Sequence, residues 1–113
     1  SLGNKIWQKY HGGKKDDRGY AISQCSDGGY IITGETSSYG NGKNDILLIK
    51  TNSIGDEKWR KTFGGNGVDI GRSIKELSSG GYIISGTSTI SNLSFDAILI
   101  KTDKNGKSGE YLK

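Results

Sequence analysis

The chain contains two copies of one sequence unit, and this repeat constrains its fold more than any other feature. Residues 7–34 read WQKYHGGKKDDRGYAISQCSDGGYIITG, and residues 59–86 read WRKTFGGNGVDIGRSIKELSSGGYIISG, an offset of about 52 residues. After a short indel the match resumes, with DILLIKTN at residues 45–52 and DAILIKTD at residues 96–103. Because one unit cannot bury its apolar surface alone, the repeat predicts that each unit packs against a partner.

Short runs of apolar and β-branched residues indicate that the repeat unit is built from strands. The runs at residues 30–34 and 82–86 each follow a Gly-Gly pair, which is typical of a tight turn that leads into a strand. Residues 46–49 and 97–100 are continuously apolar. Continuous apolar runs of this length predict central strands that are covered on both faces.

Two further strands complete each unit. Residues 58–63 alternate between apolar and polar side chains, as a half-buried strand does. A strand is also predicted before each Gly-Gly turn, at residues 20–26 and 72–78. Each copy is therefore predicted to hold four short antiparallel strands, with no room for a helix.

A sheet of this kind has two apolar faces, and nothing within its own repeat covers them. Packing sheet upon sheet around a common axis buries both faces, which is the architecture of a β-propeller. A sandwich or a flat array also covers faces, but a sandwich rarely needs near-identical units. We therefore predict an all-β fold of two four-stranded blades, at about residues 17–63 and 69–113, in one two-blade unit.

Composition and charge exclude several classes of protein. Hydrophobic residues make up 31 % of the 113 residues, which is too few for a helical bundle. No apolar stretch approaches the roughly 20 residues of a membrane span, and no signal peptide is present. The net charge of +4 is scattered over both copies, and the aromatic residues recur with the repeat, so nucleic-acid binding is not predicted.

The single cysteine excludes an intrachain disulfide and a multi-cysteine zinc site. Cys25 aligns with Leu77 in the second copy, which predicts a small buried core residue rather than a reactive thiol.

The repeat motif resembles a known group of propeller repeats. Its elements are W-x-K, a Gly-Gly pair, an Asp and a Gly, then GGYII-x-G, then D-x-x-L-I-K-T and a Gly turn, over residues 7–106. Together they resemble the repeats of about 50 residues in large, mostly uncharacterised bacterial and archaeal surface or secreted proteins. The resemblance implies a scaffold of several blades and an extracellular or cell-surface location, often beside adhesion or carbohydrate-related modules.

The two ends of the chain predict a missing neighbour. Residues 5–11 match the outer strand of the first copy and are predicted to be the outer strand of a preceding blade. Residues 109–113 stand where the outer strand of the second blade belongs, but there Tyr111 replaces tryptophan with a slipped register. We hypothesise a homo-oligomer closed by strand exchange, with three or four subunits favoured. A segment of a longer chain, flanked by neighbouring blades, is the alternative.

Residues shared by both copies are most simply structural. Asp17, Asp69, Asp45 and Asp96 are predicted to cap backbone N–H groups, with a ligand or metal role as the alternative. Trp7 and Trp59 recur on the outer strand. Packing between blades is the favoured interpretation of these tryptophans, and stacking on a sugar ring is the other.

Positions that differ between the copies are better candidates for binding. They lie in two connections, residues 11–20 and 35–44, which are expected to emerge on the same face of a blade, where propellers ordinarily bind ligands. Polar loops that carry tyrosine suit hydroxyl-rich or peptide partners, whereas solvated loops without a ligand are the simpler alternative. The candidate ligand-binding residues are Arg18, Glu35, Tyr39 and Trp59.

No enzymatic signature stands out. His11 is the only histidine, and no G-x-S-x-G nucleophile motif exists. Asp16 and Asp17 are adjacent, so in an extended segment they point apart instead of converging on one glycosidic bond. Residues 103–106 are interpreted as a hairpin turn rather than a calcium loop, because the remaining ligand spacing is absent.

We therefore predict a noncatalytic propeller scaffold for protein or ligand interaction, without a metal or another cofactor. The alternative is an oligomeric carbohydrate-binding propeller, with sites on the loop face or between blades.

Overall fold

The structure is a computed structural model that describes residues 3–40, 43–65, 67–91 and 94–108. These residues contain seven antiparallel strands. No helix occurs in these residues. The strands are β1 (Asp17–Gln24), β2 (Tyr30–Thr36), β3 (Asp45–Thr51), β4 (Glu57–Phe63), β5 (Asp69–Glu76), β6 (Tyr82–Ser91) and β7 (Ser94–Thr102). The predicted all-β class is confirmed.

The strands form two sheets in chain order. Sheet one has the order β1-β2-β3-β4, and sheet two has the order β5-β6-β7. β1 and β5 begin three residues earlier than predicted, because Asp17 pairs with Thr36 and Asp69 pairs with Ser88. The strand predicted at the end of the second copy, residues 109–113, lies outside the described residues.

Both sheets contain the same irregularity at their first strand. The register of β1 on β2 shifts between Gly19 and Ala21, and the register of β5 on β6 shifts between Gly71 and Ser73. The strands approach so closely beside this bulge that a Cβ atom on Gly34 would overlap the carbonyl oxygen of Arg18. Glycine is therefore required there for close approach of the backbone.

The core lies between the two sheets, because β5 crosses the face of sheet one. Sheet one contributes Ile31 and Leu48, and sheet two contributes Ile74, Tyr82 and Ile84. Full burial of each such side chain stabilises the fold by about 2 kcal/mol.

Cys25 belongs to this core, as predicted. It is buried, with its Sγ 4.0 Å from the Tyr82 hydroxyl, and burial raises the pKa of the thiol.

One aromatic pair recurs in both repeats. The Trp59 and Tyr82 rings meet edge to face with centroids 6.1 Å apart, and the Trp7 and Tyr30 rings do so at 6.0 Å. Trp59 lies on β4 of sheet one and Tyr82 lies in sheet two, so this tryptophan packs between units. Packing is the interpretation that the sequence favoured for Trp59.

Residues 4–13 form no strand, yet they sit against sheet one as β4 sits against sheet two. Gly55, in the turn after β3, faces the Trp7 ring and the Lys9 side chain. Gly106, in the turn after β7, faces the Trp59 ring and the Lys61 side chain in the same way. A 3.0 Å ion pair between Lys9 Nζ and Asp56 Oδ1 further fixes the segment.

The burial predicted for the last strand is wrong. Both β3 and β7 were predicted to be covered on both faces, and β3 is buried throughout. In β7, however, Leu99 is 66 % exposed, whereas its counterpart Leu48 in β3 is fully buried. In sheet one, β4 lies beside β3 and sheet two covers the face that carries Leu48. Among the described residues, no strand lies beside the outer edge of β7 and no sheet covers the face that carries Leu99.

Candidate functional site

The two connections that differ between the repeats meet at one end of sheet one. The Ser37 amide donates a hydrogen bond of 2.9 Å to the Asp16 carbonyl, and the Lys15 amide donates one of 2.9 Å to Ser38 Oγ. The Tyr39 hydroxyl donates a third, of 3.0 Å, to the Gly12 carbonyl. The loops therefore form one continuous polar surface.

Asp17 holds this end together as a backbone cap. Its Oδ2 accepts hydrogen bonds of 2.9 Å from the Gly13 amide and from Ser38 Oγ, and its Oδ1 accepts one from Thr36 Oγ1. Burial acts to raise the pKa of Asp17, but the three hydrogen bonds outweigh burial and lower the pKa below its ordinary value.

Asp69 repeats this arrangement in sheet two. It accepts hydrogen bonds from the Gly65 amide, at 3.1 Å, and from Ser88 Oγ. The structure thus supports the capping interpretation for both Asp17 and Asp69.

A different carboxylate, Glu35, is buried at the same end of sheet one, where three side chains surround it. The Tyr20 hydroxyl donates to Oε2, and the Asn44 amide donates to Oε1. The Arg18 guanidinium lies 3.9 Å from Oε2. We call Arg18, Tyr20, Glu35 and Asn44 the Glu35 cluster.

The solvent side of this cluster carries two arginines and a tyrosine, with the exposed Asp16 carboxylate 4.0 Å from Arg18. Arg18 has a side chain that is 61 % exposed, and the ring of Tyr20 is also exposed. Arg72, from β5 of sheet two, lies over the Tyr20 ring with its guanidinium carbon 5.4 Å from the centroid, a cation–π contact between sheets. We call Arg18, Tyr20 and Arg72 the arginine–tyrosine surface.

Every member of the Glu35 cluster is peculiar to the first repeat. The equivalent residues of Arg18, Tyr20, Glu35 and Asn44 in the second repeat are Ile70, Arg72, Thr87 and Phe95. The capping aspartates and the aromatic pairs, by contrast, occur in both copies. The cluster is therefore an addition to the repeated framework and not part of it.

Tyr39 lies elsewhere, on the other face of sheet one. The Arg60 guanidinium carbon is 4.5 Å from the centroid of its ring. Arg60 also donates two hydrogen bonds of 2.8 Å to the Glu57 carboxylate, and these raise the pKa of Arg60. His11 Nδ1 lies 3.6 Å from the same carboxylate.

The structure thus brings together only two of the four candidate residues. Arg18 and Glu35 are neighbours, Tyr39 is on the opposite face, and Trp59 is packed against Tyr82. Sequence reasoning missed Tyr20 and Asn44 as partners of Glu35, and it missed Arg72. The signal was present, because Tyr20 and Asn44 differ from their counterparts in the second repeat.

The Asp103 side chain caps the turn after β7. Asp103 Oδ1 accepts hydrogen bonds of 2.8 and 2.9 Å from the Asn105 and Lys107 amides, as expected of a hairpin turn. In the described ranges, no group of three or more acidic, histidine or cysteine side chains is placed to hold a metal ion. A helix long and apolar enough to cross a membrane is likewise absent from those ranges.

No protein-family model matches the chain, and no curated protein matches it either. The resemblance to surface and secreted propeller repeats therefore stays a prediction from the motif.

Proposed function

We propose that this chain is a noncatalytic scaffold of the β-propeller type that binds a partner through the arginine–tyrosine surface. The observation that carries the proposal is the Glu35 cluster, four side chains that only the first repeat has. A framework that is otherwise repeated needs no buried glutamate at this position, since the second repeat has Thr87 there. A binding surface is the simplest reason for the addition.

The propeller part of the proposal is supported by how the two units meet. β4 of sheet one reaches sheet two through Trp59, and residues 4–13 reach sheet one through Trp7. Each sheet is therefore contacted in the same way, by a tryptophan from the segment that precedes it in the chain. Repeated contacts of one kind favour sheets that succeed each other around an axis.

Glu35 acts as a positioning group in this proposal. Both of its carboxylate oxygens accept hydrogen bonds from neighbouring side chains, and the carboxylate is shielded from solvent. Its negative charge lies 3.9 Å from Arg18 and favours a fixed orientation of that guanidinium. Both carboxylate oxygens are thus engaged by neighbouring side chains, which supports a positioning role and not a catalytic one.

The surface is suited to a ligand that carries anionic groups. The Arg72 guanidinium lies over the exposed ring of Tyr20, and the Arg18 guanidinium lies near the carboxylate oxygen of Glu35 that accepts the Tyr20 hydroxyl. Guanidinium groups bind carboxylate or sulfate through paired hydrogen bonds, and a tyrosine ring adds contact area at small entropic cost. The net charge of +4 increases the rate of encounter with such a ligand.

Carbohydrate binding is the second candidate function, and the exposure of Tyr20 favours it. An exposed tyrosine ring with Arg72 over it and Arg18 at the same carboxylate fits an acidic sugar, with the ring against the apolar face of the pyranose and the guanidinium groups on its carboxylate or sulfate. We propose Tyr20 as the stacking residue in place of Trp59, which packs against Tyr82. On the motif resemblance, we also propose an extracellular or cell-surface location.

The test compares four immobilised polymers: a neutral glucan, a uronic-acid polysaccharide, a sulfated polysaccharide and polyglutamate. We expect binding to at least one acidic polymer, little binding to the neutral glucan, and weakening as salt rises. Arg18→Gln and Arg72→Gln should each reduce the affinity about tenfold. Lys104→Gln, which removes an exposed cation from the turn after β7, is the matched control and should have no effect.

The result separates the two candidate functions. Binding to polysaccharides that is lost in Tyr20→Ala supports the carbohydrate function, whereas binding to polyglutamate alone supports a protein partner. Equal weakening by Lys104→Gln would show a diffuse charge effect and remove the arginine–tyrosine surface as the site. No binding to any polymer at high protein concentration would contradict an acidic ligand.

A further inference from the structure

The free face of sheet two is a copy of a face that sheet one buries. In sheet one, Ile31 and Leu48 lie in the core against sheet two, and both are fully buried. Their counterparts Ile83 and Leu99 lie on the far side of sheet two, where Leu99 is 66 % exposed. Sheet two thus presents to solvent the surface that sheet one uses to bind a following sheet.

The free face of sheet one is, in turn, a copy of a face that sheet two buries. Ile74 of sheet two is only 8 % exposed, because it packs in the core together with Ile84. The counterpart of Ile74 is Ile22, which is 64 % exposed on the far side of sheet one beside Ile32. The two outer faces therefore carry the counterparts of the two faces that meet in the core, so the outer face of sheet two fits the outer face of sheet one in another copy.

Among the described residues no strand lies beside the β7 edge of sheet two, whereas the corresponding edge of sheet one is paired. In sheet one the end of β3 pairs with β4, Lys50 opposite Trp59 and Thr51 opposite Glu57. An open groove lies between β4 of sheet one and the end of β7 in sheet two. It is lined by Lys61, Thr62, Phe63, Lys101, Thr102 and Gly106.

The chain also contains a strand-like segment with no strand to pair with among the described residues. Residues 5–11 are the sequence counterpart of β4, and they contact the turn after β3 as β4 contacts the turn after β7. Yet they pair with no strand of the described part of the chain. Ile6 and Tyr10 remain almost fully exposed.

We propose that a second copy of this chain occupies both the free face and the free edge of sheet two. Residues 5–11 of the second copy add to sheet two as a fourth strand, antiparallel to β7. Sheet one of that copy then covers the free face of sheet two with Ile22 and Ile32. The internal interface between sheets one and two is the template for every contact in this docking.

The template specifies the register of the new strand. In sheet one, Leu48 lies opposite Lys61, and Lys50 lies opposite Trp59. Transferred through the repeat, Leu99 of one copy lies opposite Lys9 of the other. A register that slips by one residue would turn the opposite face of the strand to the core, so only one register fits.

The contact is head to tail, because the two copies use different surfaces. Each copy donates residues 5–11 and one sheet face, and each accepts them at the other end. Contacts of this kind generate a closed ring when the rotation between copies closes, and an open filament when it does not. The proposal concerns assembly and stands without a ligand at the arginine–tyrosine surface.

Disulfide trapping tests the register. The double variant Lys9→Cys/Leu99→Cys, oxidised with glutathione disulfide, should link copies into covalent oligomers, because residues opposite each other in antiparallel strands have Cα atoms about 5 Å apart. The control Gln8→Cys/Leu99→Cys changes the register by one residue and should remain unlinked. The buried Cys25 stays in every variant. Equal linking in both variants, or linking in neither, would overturn the register.

Two charge variants on the complementary faces test the assembly. Leu99→Asp alters the face of sheet two, and Ile22→Asp alters the face of sheet one, at positions that are exposed in the single chain. We expect multi-angle light scattering to find the unmodified protein oligomeric and each variant monomeric, at 12.2 kDa. Ile54→Asp, which changes another exposed isoleucine, in the turn after β3, is the control and should still assemble.

A mixture of the two variants gives the decisive result. The intact face of sheet two in Ile22→Asp fits the intact face of sheet one in Leu99→Asp, so equal amounts should form a dimer and stop there. A mixture that stays monomeric would contradict the head-to-tail contact. An unmodified chain that is monomeric at every concentration would overturn the whole proposal, leaving residues 109–113 of the same chain, or a sheet of a longer chain, as the occupant.

Discussion

The ring of Trp59 meets the ring of Tyr82 edge to face, with an angle of 61° between their planes. This pair joins the outer strand of sheet one to the first half of β6 in sheet two. The same geometry recurs at 63° between Trp7 and Tyr30. Because burial also raises the pKa of the Tyr82 hydroxyl, that tyrosine stays neutral in its packed position.

Removal of Trp59 should therefore weaken the contact between the sheets. Trp59→Ala should reduce the free energy of unfolding by about 3 kcal/mol, through lost burial and the cavity left against Tyr82. Urea denaturation followed by circular dichroism measures the change. Trp7→Ala is the matched control, and both tryptophan variants are made in a monomeric background such as Leu99→Asp. Trp7→Ala should reduce the free energy of unfolding by less, because Trp7 is 41 % exposed. Equal losses in both variants would contradict this ranking.

Acid should destabilise the protein through its hydrogen-bonded aspartates. The pKa of Asp17 is lowered in the folded state, so its ionised form contributes stability that is present above the unfolded pKa and is lost as the pH falls through the folded pKa. We expect the free energy of unfolding to fall as the pH drops below about 4. Urea denaturation at pH 6, 4 and 3 measures it.

Asp17→Asn isolates this effect. The variant should lose about 1 kcal/mol near neutral pH and show a shallower decline in acid. Asp16→Asn is the neighbouring control. Its carboxylate is exposed and lies 4.0 Å from the Arg18 guanidinium, the distance of a weak ion pair. An unchanged pH profile in Asp17→Asn would show that other carboxylates dominate acid unfolding.

Asp27 should be needed mainly because it neutralises a buried lysine. Lys50 is only 4 % exposed, and its Nζ donates to both carboxylate oxygens of Asp27, at 3.0 and 3.2 Å, and to the Thr51 carbonyl. Asp27→Ala leaves this charge without its counter-ion and should cost about 2 kcal/mol. The double variant Asp27→Ala/Lys50→Met should recover much of the loss. A double variant less stable than Asp27→Ala would contradict the explanation.

A pair of equivalent glycines should respond differently to the same substitution. A Cβ atom on Gly71 would overlap Thr33 Oγ1 and lie 3.0 Å from Ile46 Cγ2, across the contact between sheets. A Cβ atom on Gly19 would meet only Ile32 Cγ2, at 3.6 Å. Gly71→Ala should cost about 2 kcal/mol more than Gly19→Ala, measured by thermal unfolding of a monomeric background variant. Equal effects would mean that the sheets separate readily.

The sequence predicted the strands well because the repeat supplied each of them twice. β3 and β6 follow directly from apolar runs and Gly-Gly turns. The early starts of β1 and β5 were missed because each strand begins with an aspartate and has a glycine two residues later. Those residues are ordered by hydrogen bonds to the partner strand, as Asp17 is by Thr36, and not by an apolar pattern.

The candidate site was predictable only in part. Comparison of the repeats identified Arg18 and Glu35, because neither has a counterpart of the same type in the second copy. It did not indicate that Tyr39 would face away from them, since the course of a ten-residue connection is not encoded in its composition. The contact of Arg72 with Tyr20 depends on how β5 crosses sheet one, which is a property of packing between sheets.

The glycine turns under the tryptophans have a consequence for how such a chain changes in length. Gly55 contacts Trp7 and Gly106 contacts Trp59, so each of these turns packs against a tryptophan that precedes its own unit. Insertion or deletion of one whole repeat of about 52 residues would leave every joint unchanged. Gene duplication or recombination between the copies can therefore lengthen or shorten the protein in whole steps, without inventing a new contact.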